Sequence, residues 1–467
     1  MIKVKSDKKY DLVIVGGGNA ALNAAIKSKE QSPSRRILMI ERAPKVFRGG
    51  NSKYTRGIRY VHDYNKFSSG PYSKDEYIKD VMKINKGESD SKILNMIVDG
   101  SKNMPDWMQK HKIILKHAVK GAFHYDTANS FILGGGKQLL NTYYQVIEKL
   151  GVQVVYETMV NDIKIGERNN LNLQVETGNN SFNIETDKLI VASGGFEANM
   201  DYLRESYGDR ANNIVIRGAK YNTGIPLKAL YRMGASSIGK PDQAHWTAVD
   251  ARSPKVDGGF VTRIDLIPLG IVVNKFAKRF YDEGEDLWTK RYVLWGHLAR
   301  DQPDQIVYVI IDSKMMGETL VPMYPGIKAD TIKELAKKVN LDSEALSSTV
   351  EEFNLHVTED TKYDLSKLDG KRTNGLNPDK TNWARKLDKP PFYLWPMVPG
   401  ITFTFQSVRI DTETRVLDQN NRPIDNVYAA GELTSGNIYG RGYVGGTGLV
   451  IGTVTGITAG KEAVKND

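Results

Sequence analysis

The chain has 467 residues, 65 Lys and Arg against 55 Asp and Glu, and no cysteine. The missing cysteines exclude disulfides, thiolate metal sites, Cys-ligated iron–sulfur clusters and a thiol nucleophile made from these residues. The net charge of +10 is spread along the chain with no dense basic run, which argues against nucleic-acid binding and leaves a Lys-rich surface or an anionic small ligand. The length suits two domains. No apolar run reaches the ~18 residues of a membrane span, and the basic N-terminus has no signal-peptide pattern, so a cytoplasmic location is expected.

In chain order, residues 10–15 predict a buried strand, Gly16-Gly17-Gly18 a turn, residues 19–29 a helix and residues 36–40 a second strand ending at Glu41. This is a βαβ unit. A helix is expected over 137–150, and strands over 151–156 and 187–192, the last followed by Ser193-Gly194-Gly195-Phe196. The texture then changes. Strands are expected over 270–274 and 305–311, helical structure over 331–356, and a polar connection over 360–391. The opening texture returns with a strand over 427–430, a Gly-rich loop over 431–448 and a small-residue helix over 449–464. The simplest architecture is α/β: a Rossmann-like nucleotide-binding domain built from residues 1–235 and 373–467, with a capping domain inserted at 236–372.

Gly16-Gly17-Gly18-Asn19-Ala20-Ala21 fits G-x-G-x-x-A directly after a strand and at the start of a helix. Gly16 permits the tight turn, Gly18 lets backbone approach a pyrophosphate, and Ala21 keeps helix and sheet close. The helix start offers free N–H groups to phosphate, and Glu41 can accept from ribose hydroxyls. This motif alone does not separate NAD from FAD. The C-terminal loop does. Gly431-Glu432 follows a strand, and a second helix begins near Gly446, Gly448, Leu449 and Val450, suited to face the N1/O2 edge of a flavin. A nucleotide fold that uses both ends of its chain favours a flavoprotein.

These residues, with Gly49-Gly50-Asn51-Ser52, Thr55-Arg56, Arg59, His62-Asp63, Tyr221-Asn222-Thr223-Gly224, Gly258-Gly259 and Gly440-Arg441-Gly442-Tyr443, resemble the flavoprotein family of fumarate reductase and succinate dehydrogenase. The resemblance is strongest to its tricarballylate dehydrogenase branch. It implies FAD under a capping domain (a GR2-type flavoprotein), with Arg42, Val160, Ser193, Gly194 and Gly195 completing the cofactor set. Relatives with covalent flavin carry it on a His; Asn51 stands at the matching place, so non-covalent FAD is expected. The family's proton-donating Arg has no counterpart in residues 285–291, although Arg291 is near, and its substrate-clamping His and Arg look replaced by Tyr439 and Tyr443. The cap His is matched by His245. A Tyr at position 443 also resembles the 3-ketosteroid dehydrogenases.

The expected chemistry is hydride exchange between flavin and a C–C bond beside a carboxylate or ketone, with a proton going to or from a base. Arg grips a carboxylate with two parallel bonds, so Arg56, Arg59, Arg263 and Arg441 are candidates, with His62 and His245 as further donors. Tyr443 or a nearby Arg is the candidate for proton transfer, with Arg441 two residues from Tyr443 to favour its ionised form. Each has a plainer reading: a solvated i, i+3 pair for Arg56 and Arg59, an ion pair for Arg263, a packed ring for His245, Tyr439 and Tyr443. Two other functions stay open, a steroid-type enone reductase or dehydrogenase and an electron-transfer subunit without its own substrate. Partners are a small carboxylate and either a quinone or a separate redox protein.

Overall fold

Tyr10–Val15 reads YDLVIV and is buried along almost its whole length, as a strand covered on both faces must be. In the computed structural model, which describes residues 9–64, 66–68, 70–118, 121–124, 128–256 and 260–465, this strand lies inside a parallel sheet. It pairs with Ile37–Ile40 on one side and with the end of Asn180–Val191 on the other. Gln153–Val155 extends the first side and Pro423–Ala429 the second, so a strand from the far end of the chain completes the sheet begun at residue 10. Thr158–Ile165 and Leu171–Thr177 add an antiparallel extension to Asn180–Val191, which the sequence reading did not contain.

The first helix, Asn19–Gln31, packs along the last one, Thr447–Glu462. Small residues set that distance. A Cβ on Gly456 would lie 2.4 Å from the Ala20 carbonyl oxygen, and one on Gly460 2.3 Å from that of Ala24. Asn19 crosses the contact, its Nδ2 donating to Leu449 O at 3.2 Å and Thr453 Oγ1 at 2.9 Å. The first and last helices are thereby held together.

A second, mixed sheet is organised around Phe392–Thr404. The first half of this long strand pairs with Val307–Asp312 and Ile327–Ala329, and its second half with Ala244–Asp250 and Val215–Ile216. Ile271–Asn274 adds to Val307–Asp312. Ile271 and Val273 point to a small core under helices Ile332–Lys338 and Ser343–His356, while Val272 faces the main core, as the two-residue period of a strand requires. Helix Trp288–Asp301 lies on the other side, against Ala244–Asp250. The expected return to the first domain at residue 373 differs from this arrangement: the chain stays in the second sheet until Thr404 and enters it already at Val215. The Gly258-Gly259 motif lies outside the described residues. Among the described residues no helix is long and apolar enough to cross a membrane.

Candidate functional site

A cleft with about 1650 Å³ of open space runs from the Gly16–Gly18 turn to the face of the second sheet. Gly16, Gly18, Asn19, Ala20, Glu41, Arg42, Gly49, Gly50, Asn51, Ser52, Val160, Ser193 and Gly194 line it from the first part of the chain. Gly431, Glu432, Gly446, Gly448 and Leu449 line it from the last. Gly18 opens the first helix with no side-chain cap, so the backbone at the helix start serves whatever anion sits there. Glu41 is buried beside it; burial raises its pKa, and Ala43 N–H donates to its Oε1 at 2.8 Å. The Ser193 hydroxyl is buried and has no hydrogen-bond partner among the described residues. Anion-binding backbone, a ribose-accepting carboxylate and an unused hydroxyl in one long cleft fit FAD. Asn51 uses its side chain on Glu197 Oε1, Thr402 O and Ala219 N, which leaves it no role as a covalent anchor.

The other end of the cleft is cationic. Arg56, Arg217 and Arg263 all line it. Arg263 grips Asp265 with two bonds of 2.5 and 2.6 Å, and Arg56 Nη2 reaches the same carboxylate at 3.3 Å. Trp288 Nε1 donates to it as well. The two guanidinium groups outweigh the burial cost and hold Asp265 down at about 2. Arg217 is buried, with Nη1 on Thr402 Oγ1 at 3.0 Å and with Nε lacking a hydrogen-bond partner among the described residues. Burial and then Arg263 bring its pKa down to about 10, still fully charged at neutral pH. Three guanidinium groups thus gather at this end, two of them on the Asp265 carboxylate.

His245, on Ala244–Asp250, completes this end. Its Nε2 lies 2.8 Å from Tyr292 Oη, and its Nδ1 has no hydrogen-bond partner among the described residues. Burial first, then Arg217 and Arg263, push its pKa well below the ordinary value, so the ring is neutral. The guanidinium of Arg263 lies 4.5 Å over the Tyr292 ring. Tyr443 stands edge-on to His245 at 4.3 Å, and its hydroxyl accepts from Gly448 N–H at 2.7 Å at the start of the last helix.

Of the eight side chains expected to handle substrate, Arg56, Arg263, His245 and Tyr443 meet in this cleft; four do not line it. Arg59 is corrected to an interior scaffold. It lies on the strand Gly57–Arg59, where positions 56 and 59 face opposite sides, and it holds Gly445 O at 2.9 Å and Tyr72 Oη at 2.7 Å. His62 stacks on Tyr60 and bonds Tyr60 O and Ser68 Oγ. Tyr439 is fully buried, packed on Phe405. Arg441 reaches the surface and pairs with Glu88 at 2.8 Å, so it is not the cation beside Tyr443. Arg291 is tied to Glu285 and does not line the cleft either. Among the cofactor candidates, Ala21 and Val450 sit behind the lining in the helix contact, and Gly195 faces Glu197 and Glu432 instead. Sequence reasoning missed Arg217, Tyr292 and Glu197. A signal existed for Tyr292: Trp288, Tyr292 and Trp295 recur at helical spacing and mark an aromatic face.

Residues 11–449 match the model of the FAD binding domain family. The chain is 26% identical to the NADH:fumarate oxidoreductase of Klebsiella pneumoniae (strain 342), a match that covers 98% of this chain and 48% of that protein. This chain therefore spans about half of that relative. It is 25% identical to the vinyl phenol reductase of Lactiplantibacillus plantarum, over 91% of this chain and 90% of that one. Its fold superposes on the 3-ketosteroid-Δ4-(5α)-dehydrogenase of Rhodococcus jostii RHA1 with a TM-score of 0.75 at 21% identity, covering 100% of this chain and 99% of that one. The chain belongs to the FAD binding domain family.

Proposed function

We propose that this flavoprotein oxidises or reduces a C–C bond in a small substrate that carries at least two carboxylates, as in the tricarballylate dehydrogenase branch. The observation that carries this reading is Arg217: a buried guanidinium that lines the cleft and whose Nε–H has no hydrogen-bond partner among the described residues, with His245 neutral beside it. A buried guanidinium N–H without an acceptor is costly unless the ligand supplies one. That Nε–H is the kind of donor a carboxylate takes.

Bound FAD supplies the hydride acceptor or donor. The protein holds the carboxylates through the three guanidinium groups, which also spread the negative charge that builds up beside the reacting carbon. The proton is exchanged at Tyr292 Oη. In the reducing direction Tyr292 gives its proton to the substrate carbon while His245 Nε2–H donates to the oxygen left behind, and Arg263 above the ring stabilises that charge. This arrangement takes the place of the family's proton-donating Arg.

The test is an anaerobic titration of the FAD-loaded protein. Tricarballylate and succinate should bleach the oxidised flavin, or fumarate and cis-aconitate should restore colour to the reduced one. Steroid ketones and vinyl phenols should do neither. Flavin that responds to a ketosteroid and to no carboxylate would move the assignment to the steroid-type reading, which the aromatic pair Tyr292 and Tyr443 favours. In either case the electron partner is a quinone or a separate redox protein.

A further inference from the structure

One carboxyl in the cleft wall and one behind it form a pair that the proposed reaction does not use. Glu197 follows the strand Asn180–Val191 and is fully buried. Its Oε1 accepts from Asn51 Nδ2 at 2.5 Å and Asn222 Nδ2 at 2.7 Å. Its Oε2 is buried and receives no hydrogen bond from any N–H or hydroxyl among the described residues. Glu432 comes from the loop after Pro423–Ala429 and lines the cleft, and its Oε1 accepts from Thr404 N at 2.8 Å. The two carboxyls converge on Gly195. A Cβ there would lie 2.2 Å from Glu432 Oε1 and 3.0 Å from Glu197 Oε2. Gly195 is small because the carboxyls occupy its side-chain space.

No Lys, Arg or His among the described residues forms an ion pair with either carboxyl. Arg217 comes nearest by bonding, joined through Thr402, whose carbonyl accepts from Asn51 and whose hydroxyl accepts from Arg217. The other ionisable groups that line the cleft are Glu41, Arg42, Tyr54, Arg56, Tyr221, His245, Arg263, Tyr292 and Tyr443. Two adjacent carboxylates without a cation cannot both stay ionised. Burial raises Glu197 to about 7, and burial together with Glu197 raises Glu432 well above the ordinary carboxyl range.

We propose that Glu432 and Glu197 share one proton, Glu432 donating to Glu197 Oε2, and that this proton holds Asn51, Asn222 and Thr404 in place as the wall against which FAD is bound. Losing it would add a second negative charge behind a cleft that must hold the cofactor's pyrophosphate. FAD affinity then falls as pH rises through the pair's titration. Glu197 and Glu432 act as positioning residues, independently of which substrate is turned over.

Two measurements test this on the whole protein. Infrared spectra of the wild-type apoprotein at neutral pH should show the C=O stretch of a protonated carboxyl that is absent in Glu197→Gln. Fluorescence titration of the apoprotein with FAD, from about pH 6 to about pH 9, should show affinity falling about tenfold per pH unit above the titration point. In Glu197→Gln a permanent amide donor replaces the shared proton, and the profile should flatten. If Glu197→Gln does not fold, the wild-type profile and band still decide. A wild-type affinity that does not change with pH, or the absence of a protonated carboxyl band, overturns the proposal. Neither result bears on the carboxylate reading, which flavin bleaching tests separately.

Discussion

The two ends of the cleft are built in different ways. At the nucleotide end the lining is mostly backbone and small side chains, from Gly16–Ala20, Gly49–Ser52 and Ser193–Gly194, and the charge comes from the start of a helix. At the substrate end it consists of long side chains from distant segments: Arg56 from the first domain, Arg217 and Arg263 from around the second sheet, Tyr292 from a helix. Backbone placement depends on how closely the helices approach. Side-chain placement depends on ion pairs and on burial. A mutation at one end should therefore leave the other measurably intact, and that separation can be challenged directly.

The largest expected effect is at Tyr292. Tyr292→Phe keeps the ring over which Arg263 lies and removes the exchangeable proton 2.8 Å from His245. Turnover should fall by about 10²–10⁴-fold, the usual contribution of a positioned acid or base. FAD content and substrate KM should hardly change. Arg217→Met should come next, costing about 10²–10³ in kcat/KM, mostly as raised KM, because the lost group grips the substrate before and during reaction. A mutant of either residue that loses its FAD would break the separation of the two ends.

Gly456→Val probes the nucleotide end. It forces a branched side chain into a contact where even a Cβ lies 2.4 Å from a carbonyl oxygen. The cost should be about 1–3 kcal/mol of stability, read as a lowered Tm, with weaker FAD retention. The FAD that stays bound should still be reduced by substrate at the wild-type rate.

The same division decides what the sequence revealed. The Gly16–Ala21 turn, Glu41 and the Gly431–Leu449 loop were legible because local backbone geometry demands those residue types in that order. The first strand, at Tyr10–Val15, has the bounds expected of it. The cationic end was only half legible. Arg56 and Arg59 read as a helix-like i, i+3 pair, but the segment is a strand, so one enters the cleft and the other the interior. Arg217 carries no motif; it matters because Val215–Ile216 pairs with Gly400 and Ile401 and brings Thr402 within reach. The long strand Phe392–Thr404 begins just after a polar, Pro-bearing stretch, and its partners lie up to 185 residues away in sequence, so no local pattern announced its place in the second sheet.

Arg441 should give the smallest effect. It belongs to the Gly-rich loop that carries Tyr443, and sequence proximity made it the cation expected to favour an ionised Tyr443. Its guanidinium instead meets Glu88 at the surface, where Lys240 also reaches the same carboxylate. Glu88 therefore keeps a partner when Arg441 is removed. An exposed pair of this kind contributes about 0–1 kcal/mol and is screened by salt. Arg441→Ala should change kcat/KM by less than about twofold and leave the pH profile of turnover unshifted. A large drop in kcat would mean that the loop swings Arg441 inward during turnover, and that the substrate end recruits a fourth guanidinium when the cleft closes.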